Sequence, residues 1–339
     1  GYGGIYTALK LQKAARRGEI HLSLVSQENY FLAHPMLAEV VSGSIEPPHI
    51  VNPIRRMLPH VHCHQAQIQS VDVDTRTVVI DNLGGSSHYD RIPYDQLLIA
   101  VGSRTDLSRL PGMAEHAFPF KTLGDAFFLR NQLISVLEEA EVETDPKEKQ
   151  ELLTFVVAGG GYTGVEVAAE INSFIREAAK SYRRIDPSEI KVILLHRGSR
   201  ILPVLPDKLA EFSLRVMRRR GVDVRLGTSI IAATAQSAIL SGGEIISSRT
   251  LVVALGSAPN PVLDALPGIR GPRGRLVVDD TLSVPECPGI WAVGDCAAVP
   301  DLRAGGTCPP TAQYAIKQAK HVAWNIMATV NGKSPRPFS

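Results

Sequence analysis

The sequence has few cysteines, no long apolar run and almost no net charge, and each absence excludes a class of protein. The four cysteines, at positions 63, 287, 296 and 308, form no Cys-x-x-Cys pair, so neither a zinc site nor a disulfide scaffold is expected. No apolar stretch reaches the roughly 18 residues of a membrane span, and no signal peptide is visible. A net charge of +2 gives no concentrated basic surface for a nucleic acid.

The length and apolar content predict two domains. The chain has 339 residues, of which 44% are hydrophobic, and domains usually contain roughly 100–200 residues each. We place one domain at residues 1–120 together with 270–339, and the other at residues 121–269. The charged stretch 138–150 reads as a solvated helix end and loop, which suits a boundary.

A nucleotide-binding pattern occurs twice. Near the amino end a helix is predicted at residues 5–17 and a strand at 20–25, while residues 50–58 are expected to form a short helix. In mid-chain the order is a strand at 155–158, a glycine loop, a helix at 164–180 and a strand at 191–195. The apolar runs 97–102 and 251–256 also resemble each other. We therefore predict an α/β protein with two Rossmann-like domains.

The mid-chain loop, residues 159–164, reads GGGYTG and fits the pattern G-x-G-x-x-G. Its glycines, Gly159, Gly161 and Gly164, follow an apolar strand and open a helix, the context in which this pattern binds a dinucleotide pyrophosphate. The alternative is a glycine turn with a purely structural role. We predict that the loop binds NAD(P)H.

The next strand ends without the acidic residue that normally accepts the ribose 2′-hydroxyl of NAD. His196 stands there and Arg197 follows it. Because a guanidinium can pair with a 2′-phosphate, NADPH should be tolerated. The alternative is that Arg197 faces solvent and the enzyme is indifferent or prefers NADH.

Glu166 lies two residues past the third glycine of the mid-chain loop. We expect it in the first helical turn, where the helix dipole favours a carboxylate. It then either stabilises the helix or hydrogen-bonds the nicotinamide end of the dinucleotide and manages the proton that accompanies hydride transfer.

The amino end begins in the middle of a second glycine loop, in which Gly1 and Gly4 stand as the second and third glycines. We expect the first glycine and its strand to precede residue 1. The matching strand end carries Ser26, with Glu28 two residues on, and both are candidates for the adenosine ribose of a flavin.

Residues 291–297, WAVGDCA, resemble the second FAD motif of two-dinucleotide-binding flavoproteins, in which an aspartate holds the flavin ribitol. Asp295 takes that role. The chain as a whole resembles the type II, non-proton-pumping NADH dehydrogenases, through residues 29–31 (NYF), 35–37 (PML), 94–97 (YDQL) and 309–313 (PPTAQ), together with the Glu166 loop.

This resemblance implies a glutathione-reductase-like fold, with the NAD(P)H domain inserted in the FAD domain. It implies an enzyme that passes a hydride from NAD(P)H to FAD and electrons to a quinone. Further implied contacts are Ile68, Ala100, Gly102 and Ala312 for FAD, and Gly256 for NAD(P)H. The helix that begins near Thr311 would support negative charge on the reduced flavin through its dipole.

The resemblance also implies peripheral attachment to the cytoplasmic face of a bacterial membrane, or to an organelle membrane, through a segment expected beyond residue 339. A homodimer is possible in this family. For the quinone the candidates are Gln313 and Lys317. The family places a glutamine at the second position, so Lys317 is a departure that concerns the acceptor.

Two other functions stay open. A soluble NAD(P)H diaphorase would use dyes or small quinones, and a flavin-based redox sensor would resemble apoptosis-inducing-factor-like proteins. A dithiol reductase is disfavoured because the amino-terminal segment, residues 1–120, offers only Cys63.

Overall fold

The computed structural model describes residues 1–82, 89–108, 110–255, 258–268, 270–303 and 305–339. Within these ranges no helix combines the length and the hydropathy that crossing a bilayer requires. The four cysteines are free thiols.

The helices of the described residues are α1 (Tyr2–Arg16), α2 (Ala38–Ser42), α3 (Pro47–Ile50), α4 (Ile54–Met57), α5 (Met113–His116), α6 (Leu123–Val142), α7 (Pro146–Leu152), α8 (Tyr162–Ala179), α9 (Asp207–Arg219) and α10 (Ala312–Val330). The strands are β1 (Ser23–Ser26), β2 (Tyr30–Leu32), β3 (Val51–Pro53), β4 (His62–Asp72), β5 (Thr77–Asn82), β6 (Tyr89–Pro93), β7 (Leu97–Ile99), β8 (Ser103–Arg104), β9 (Phe118–Pro119), β10 (Thr154–Ala158), β11 (Lys191–His196), β12 (Val222–Leu226), β13 (Ile230–Thr234), β14 (Ser237–Leu240), β15 (Ile245–Ser247), β16 (Thr250–Val253), β17 (Ala258–Pro259), β18 (Leu276–Val277), β19 (Ile290–Ala292) and β20 (Ala297–Ala298).

The chain forms two compact units. The first consists of Gly1–Leu32, Val51–Arg104 and Ala258–Ser339, and the second of Ala33–Ile50 and Thr105–Ser257. The second unit therefore takes in residues 33–50 and 105–120, and the first unit takes in residues 258–268, which the sequence-based division gave in each case to the other domain. The assignment of one cofactor to each domain stays a prediction.

In the first unit, β1 lies parallel to β4, and β4, β5 and β6 continue the sheet in antiparallel order. A second parallel pair joins β7 to β19. Helix α1 packs against α10, and the buried hydroxyl of Thr7 donates to the Gly3 carbonyl at 2.8 Å and to the Ala319 carbonyl at 3.3 Å. The apolar core of this unit includes Ile99 and Trp291 from the two paired strands.

In the second unit a five-stranded parallel sheet has the order β12-β11-β10-β16-β9. Every residue of β10 is buried, as expected for a central strand covered on both faces. The strands β13, β14 and β15 form a separate antiparallel sheet. Helix α2 packs against both α6 and α8, and Arg130 of α6 donates to the Val41 carbonyl of α2 at 3.1 Å.

Two secondary-structure predictions were wrong. Residues 50–58 contain the end of α3, the strand β3 and the helix α4, because residues 51–53 pair with β2 and interrupt the helix. The stretch 138–150 contains the start of α7, which was read as loop. Asp145 accepts hydrogen bonds from the amides of Lys147 and Glu148, and Pro146 occupies the first helical turn, a strong start signal.

Candidate functional site

The mid-chain glycine loop joins β10 to α8 by a close backbone contact. Gly159 has φ +126°, and a Cβ there would lie 2.8 Å from the carbonyl carbon of Ala254. A Cβ on Gly164 would lie 2.8 Å from the carbonyl carbon of Gly159 and closer still to its oxygen. Only glycine fits at either position, since both obstacles are backbone.

The amino-terminal loop enters its helix with the same backbone hydrogen bonding as the mid-chain loop. Gly1 precedes α1, and its carbonyl accepts from the amide of Ile5 at 3.1 Å. In mid-chain Gly161 precedes α8, and its carbonyl accepts from the amide of Val165, also at 3.1 Å. Neither helix has a side-chain cap, so the first amides of both are left for a ligand.

The third glycine of each loop packs on an alanine that follows a parallel strand. A Cβ on Gly4 would lie 3.6 Å from the Cβ of Ala100, and one on Gly164 would lie 3.4 Å from the Cβ of Ala254. The resemblance between residues 97–102 and 251–256 therefore has a structural reason. Gly256, a predicted NAD(P)H contact, lies outside the described residues.

Asp295 stands just beyond the carboxyl end of β19. Gly294 before it has φ +74°, which turns the chain out of the strand, and the aspartate is half-buried. The hydroxyl of Ser103 donates to Asp295 Oδ2 at 3.3 Å. Ser103 follows Gly102, which has φ +63°, so two glycine turns bring these polar groups together.

The Gly294–Asp295 turn is held by Gln318 of α10. The side chain of Gln318 is 2% exposed, and its Oε1 accepts from the Gly294 amide at 2.8 Å. Because a buried amide without a partner costs about 1–3 kcal/mol, this bond fixes the turn. Gln318 follows the predicted quinone contact Lys317 in the sequence, but only the fold shows the partner of its side chain.

Three other flavin candidates, Ser26, Glu28 and Ile68, lie near the carboxyl end of β1 or on β4. Ser26 is the last residue of β1 and is half-buried, whereas Glu28 is exposed. Burial, with a smaller contribution from Glu28, raises the pKa of the Tyr30 hydroxyl. Ile68 lies in β4 and packs half-buried against the core of the first unit.

The residues of both loops fit a dinucleotide. At each loop a helix N-terminus offers unpaired amides, and the glycines remove the side chains that would block a pyrophosphate. Asp295 adds a carboxylate acceptor at the end of a neighbouring strand of the first unit.

Glu166 lies outside the first turn of α8, contrary to the sequence prediction. The helix begins at Tyr162 rather than Gly164, so Glu166 opens the second turn. Burial, and secondly the charge of Glu39, raises the pKa of Glu166 to about 7. The helix dipole, which would lower this pKa, is therefore outweighed by desolvation and by a like charge.

Glu39 is a site residue that sequence reasoning missed. It lies on α2, which packs against α8, and its Oε2 is buried with no hydrogen-bond partner. Like carboxylates placed together disfavour double ionisation. No local motif marked Glu39, because the pairing depends on where α2 packs.

His196 ends β11, and its ring turns back onto the glycine loop. Its Nδ1 accepts from the Gly160 amide at 3.2 Å. Burial is the main cause that lowers the pKa of His196; a backbone hydrogen bond of Arg200 opposes it, and the charge of Arg197 adds to it. Arg197 itself is exposed.

The quinone candidates share one exposed face of α10. Thr311 caps this helix by accepting from the Tyr314 amide at 3.4 Å, and Ala312 is its first residue. Gln313 and Lys317 are both exposed and lie four residues apart, so they are neighbours on the helix surface. The Lys317 ammonium lies 5.7 Å from the centre of the Tyr314 ring.

Two further residues near Asp295 were not predicted. A Cβ on Gly3 would lie 2.9 Å from Val293 Cγ2, so this glycine permits the approach of α1 to the strand end. Arg275 donates to Thr307 Oγ1 at 2.9 Å. Burial is the main cause that lowers the pKa of Arg275, and the charge of Asp295 opposes this shift. Gly3 lies between the two predicted glycines of the amino-terminal loop, at a position that the motif leaves open, and Arg275 belongs to no recognised motif.

Together the parallel sheet, the two glycine loops and the Gly-Asp turn define a flavoprotein reductase of the two-dinucleotide class. The model of the pyridine nucleotide-disulphide oxidoreductase family matches residues 1–319. A type II NADH:quinone oxidoreductase of Mycobacterium tuberculosis is 32% identical over 99% of this chain and 72% of its own. A demethylphylloquinone reductase of Synechocystis is 29% identical over 99% of this chain and 80% of its own.

The structure of NDH2 from Plasmodium falciparum in complex with NADH superimposes with a TM-score of 0.86 and 21% identity, covering 95% of this chain and 80% of that one. At this identity the match concerns the fold alone. The chain belongs to the pyridine nucleotide-disulphide oxidoreductase family and, within it, to the type II NADH dehydrogenases. The predicted family and fold class are confirmed, and the protein is an oxidoreductase with FAD and NAD(P)H as cofactors.

The glycine contacts generate a first prediction. Gly164→Ala should destabilise the second unit by at least the roughly 1–3 kcal/mol typical of overpacking, since its Cβ meets the Gly159 carbonyl group. Gly161→Ala is the matched control, because a Cβ there meets nothing within 4 Å. Thermal unfolding followed by circular dichroism measures both, and equal melting temperatures for the two variants would contradict the contact.

The carboxylate pair generates a second prediction. Glu39→Gln should lower the pKa of Glu166 from about 7 while leaving it above the ordinary value, since burial, the larger cause, persists. Titration of ¹³C-labelled glutamates by NMR measures this, with Glu166→Gln to assign the signal. Glu170→Gln, on the same helix, is the control and should leave the midpoint in place. An unchanged midpoint in Glu39→Gln would refute the coupling.

Proposed function

We propose that this protein oxidises NADH or NADPH through FAD and passes the electrons to a quinone, without pumping protons. The observation that carries the proposal is the repeated glycine loop, one copy in each unit, in a chain related to quinone reductases. Two such loops serve two dinucleotides, which is what electron transfer from a nicotinamide to a flavin requires.

For FAD we propose the first unit as the binding domain. The pyrophosphate would meet the loop of Gly1 and Gly4, and Asp295 would accept a ribitol hydroxyl. Ser26 and Glu28 would serve the adenosine ribose. The remaining contacts that we assign to FAD are Ile68, Ala100, Gly102 and Ala312.

For NAD(P)H we propose the second unit. The pyrophosphate would meet the amides at the start of α8, with Gly159, Gly161 and Gly164 allowing its approach. The residues assigned to the ribose and nicotinamide ends are His196, Arg197, Gly256 and Glu166.

Once bound, the two cofactors supply the chemistry of hydride and electron transfer, and the protein orients them and handles protons. Glu166, whose pKa is raised to about 7, can hold or release a proton at its carboxyl group near neutral pH. Glu39 sets that balance through its charge. The N-terminus of α10, capped by Thr311, supports negative charge beside it.

For the acceptor we propose Gln313 and Lys317 as quinone contacts. An exposed amide and an ammonium on one helix face can donate hydrogen bonds to the two carbonyls of a quinone. We further propose peripheral membrane attachment and a homodimer.

A test of the quinone site uses the full-length enzyme and water-soluble quinone analogues. Lys317→Met should raise the KM for the quinone up to about tenfold, the effect of one charge-assisted hydrogen bond, without changing the KM for NADH. Lys320→Met, exposed on the same helix, is the control. The measurement is steady-state NADH oxidation.

Two outcomes would contradict the proposal. If no quinone supports NADH oxidation while dyes do, the protein is a diaphorase. If Lys317→Met raises the KM for NADH instead, the lysine belongs to the donor site.

The absence of proton pumping has its own test. Proteoliposomes with an entrapped pH dye should show no proton uptake beyond that of quinone reduction itself.

A further inference from the structure

The imidazole of His196 lies in a slot made by two glycines. A Cβ on Gly160 would lie 2.6 Å from His196 Cγ, and one on Gly198 would lie 2.8 Å from His196 Nε2. Any side chain at either position would displace the ring. The ring thus takes the space between the phosphate loop and the turn after β11.

The acceptor nitrogen of the His196 ring is already occupied. Nδ1 accepts from the Gly160 amide at 3.2 Å, which requires a lone pair on that nitrogen. A neutral imidazole carries a single hydrogen, so it sits on Nε2, which is then a donor. A backbone hydrogen bond of Arg200 favours the protonated ring. Neutral His196 therefore has no acceptor left for the 2′-hydroxyl of NADH.

The surroundings contain few charged groups. On its own segment, exposed Arg197 is adjacent, while the Arg200 guanidinium is held by the Pro203 carbonyl and by Asp207. Tyr162, the first residue of α8, is exposed and carries an uncharged phenol.

The strands on either side contribute backbone or apolar groups. The amide of Thr228 donates to the His196 carbonyl at 3.0 Å, and the neighbouring β10 ends in buried Val157 and Ala158. Among the described residues around the ring, Arg197 is thus the charge that acts on it.

We propose that His196 is a proton-controlled selector between the two nicotinamide dinucleotides. In its neutral form the imidazole supports the Gly160 amide and offers nothing to the ribose. Once protonated, Nδ1 carries a hydrogen and can no longer accept from that amide, so the ring leaves the slot. The imidazolium then joins Arg197 in facing a 2′-phosphate, and NADPH gains over NADH. This inference rests on the proposed function of the second unit.

The burial of His196 decides in which direction its pKa shifts. Burial, the largest influence, lowers the pKa of His196 from its ordinary value, so the ring is neutral at pH 7 and charges only in acid. The 2′-phosphate, whose second pKa is about 6, also loses charge as the pH falls, which weakens its binding to cations. A preference for the phosphorylated dinucleotide that grows in acid therefore cannot come from the ligand.

The experiment measures binding of NAD⁺ and NADP⁺ to the FAD-loaded full-length protein by calorimetry between pH 5.5 and pH 8. These oxidised dinucleotides leave the flavin oxidised. The ratio of the two affinities should shift toward NADP⁺ by about tenfold as the pH falls, the effect of one charge-assisted hydrogen bond. Nitrogen NMR of the imidazole should show hydrogen on Nε2 at neutral pH.

His196→Gln is the decisive variant. A glutamine oxygen can still accept from the Gly160 amide but does not titrate, so the ratio should stay level or fall in acid. His116→Gln removes an exposed histidine of the same unit and should keep the wild-type shift.

A level ratio in the wild-type protein, or an unchanged shift in His196→Gln, overturns this inference and leaves the proposed function standing. Failure of both dinucleotides to bind at any pH overturns the proposed function, and the inference with it.

Discussion

The structure depends on one backbone contact, in which the α-carbon of Gly164 lies against the carbonyl of Gly159. This contact lets α8 start directly behind β10, and no side chain caps the first amides of the helix. Ala254, at the end of the neighbouring strand, presses on the same two glycines. The surface that we propose binds phosphate thus arises from the absence of side chains at Gly159, Gly161 and Gly164. The third glycine of the amino-terminal loop packs on Ala100 in the same way.

In the second unit, burial is the largest influence on the pKa values of Glu166 and His196, which lie near the glycine loop. A carboxylate near a helix N-terminus should be more acidic than usual, yet the pKa of Glu166 rises to about 7, because burial and Glu39 both disfavour its charge. Burial likewise keeps His196 neutral. Beside the loop, Glu166 can therefore exchange a proton near neutral pH, whereas His196 stays uncharged there.

The sequence predicted the architecture well because its signals were local. Glycine spacing, apolar strands and the Gly294–Asp295 turn are each encoded within about ten residues, and they identified the family and fold. The helix α7 was missed although Asp145 and Pro146 are start signals, because the charged stretch was read as solvated loop. The partners of Glu39 and Gln318 could not be predicted, since each is brought to its partner by packing between elements far apart in the chain. The same holds for the ring of His196, whose position was foreseen but whose hydrogen bond to Gly160 was not.

The duplicated loop, the Gly-Asp turn and the buried Gln318 that fixes it support the proposal that the protein holds two dinucleotides by separate but similar means. The measurement that tests this most directly is anaerobic stopped flow on the full-length, FAD-loaded protein. The account predicts that NADH bleaches the flavin absorbance and that a quinone analogue then restores it at least as fast as steady-state turnover. A flavin that NADH leaves oxidised, or a reduced flavin that no quinone reoxidises, would contradict it.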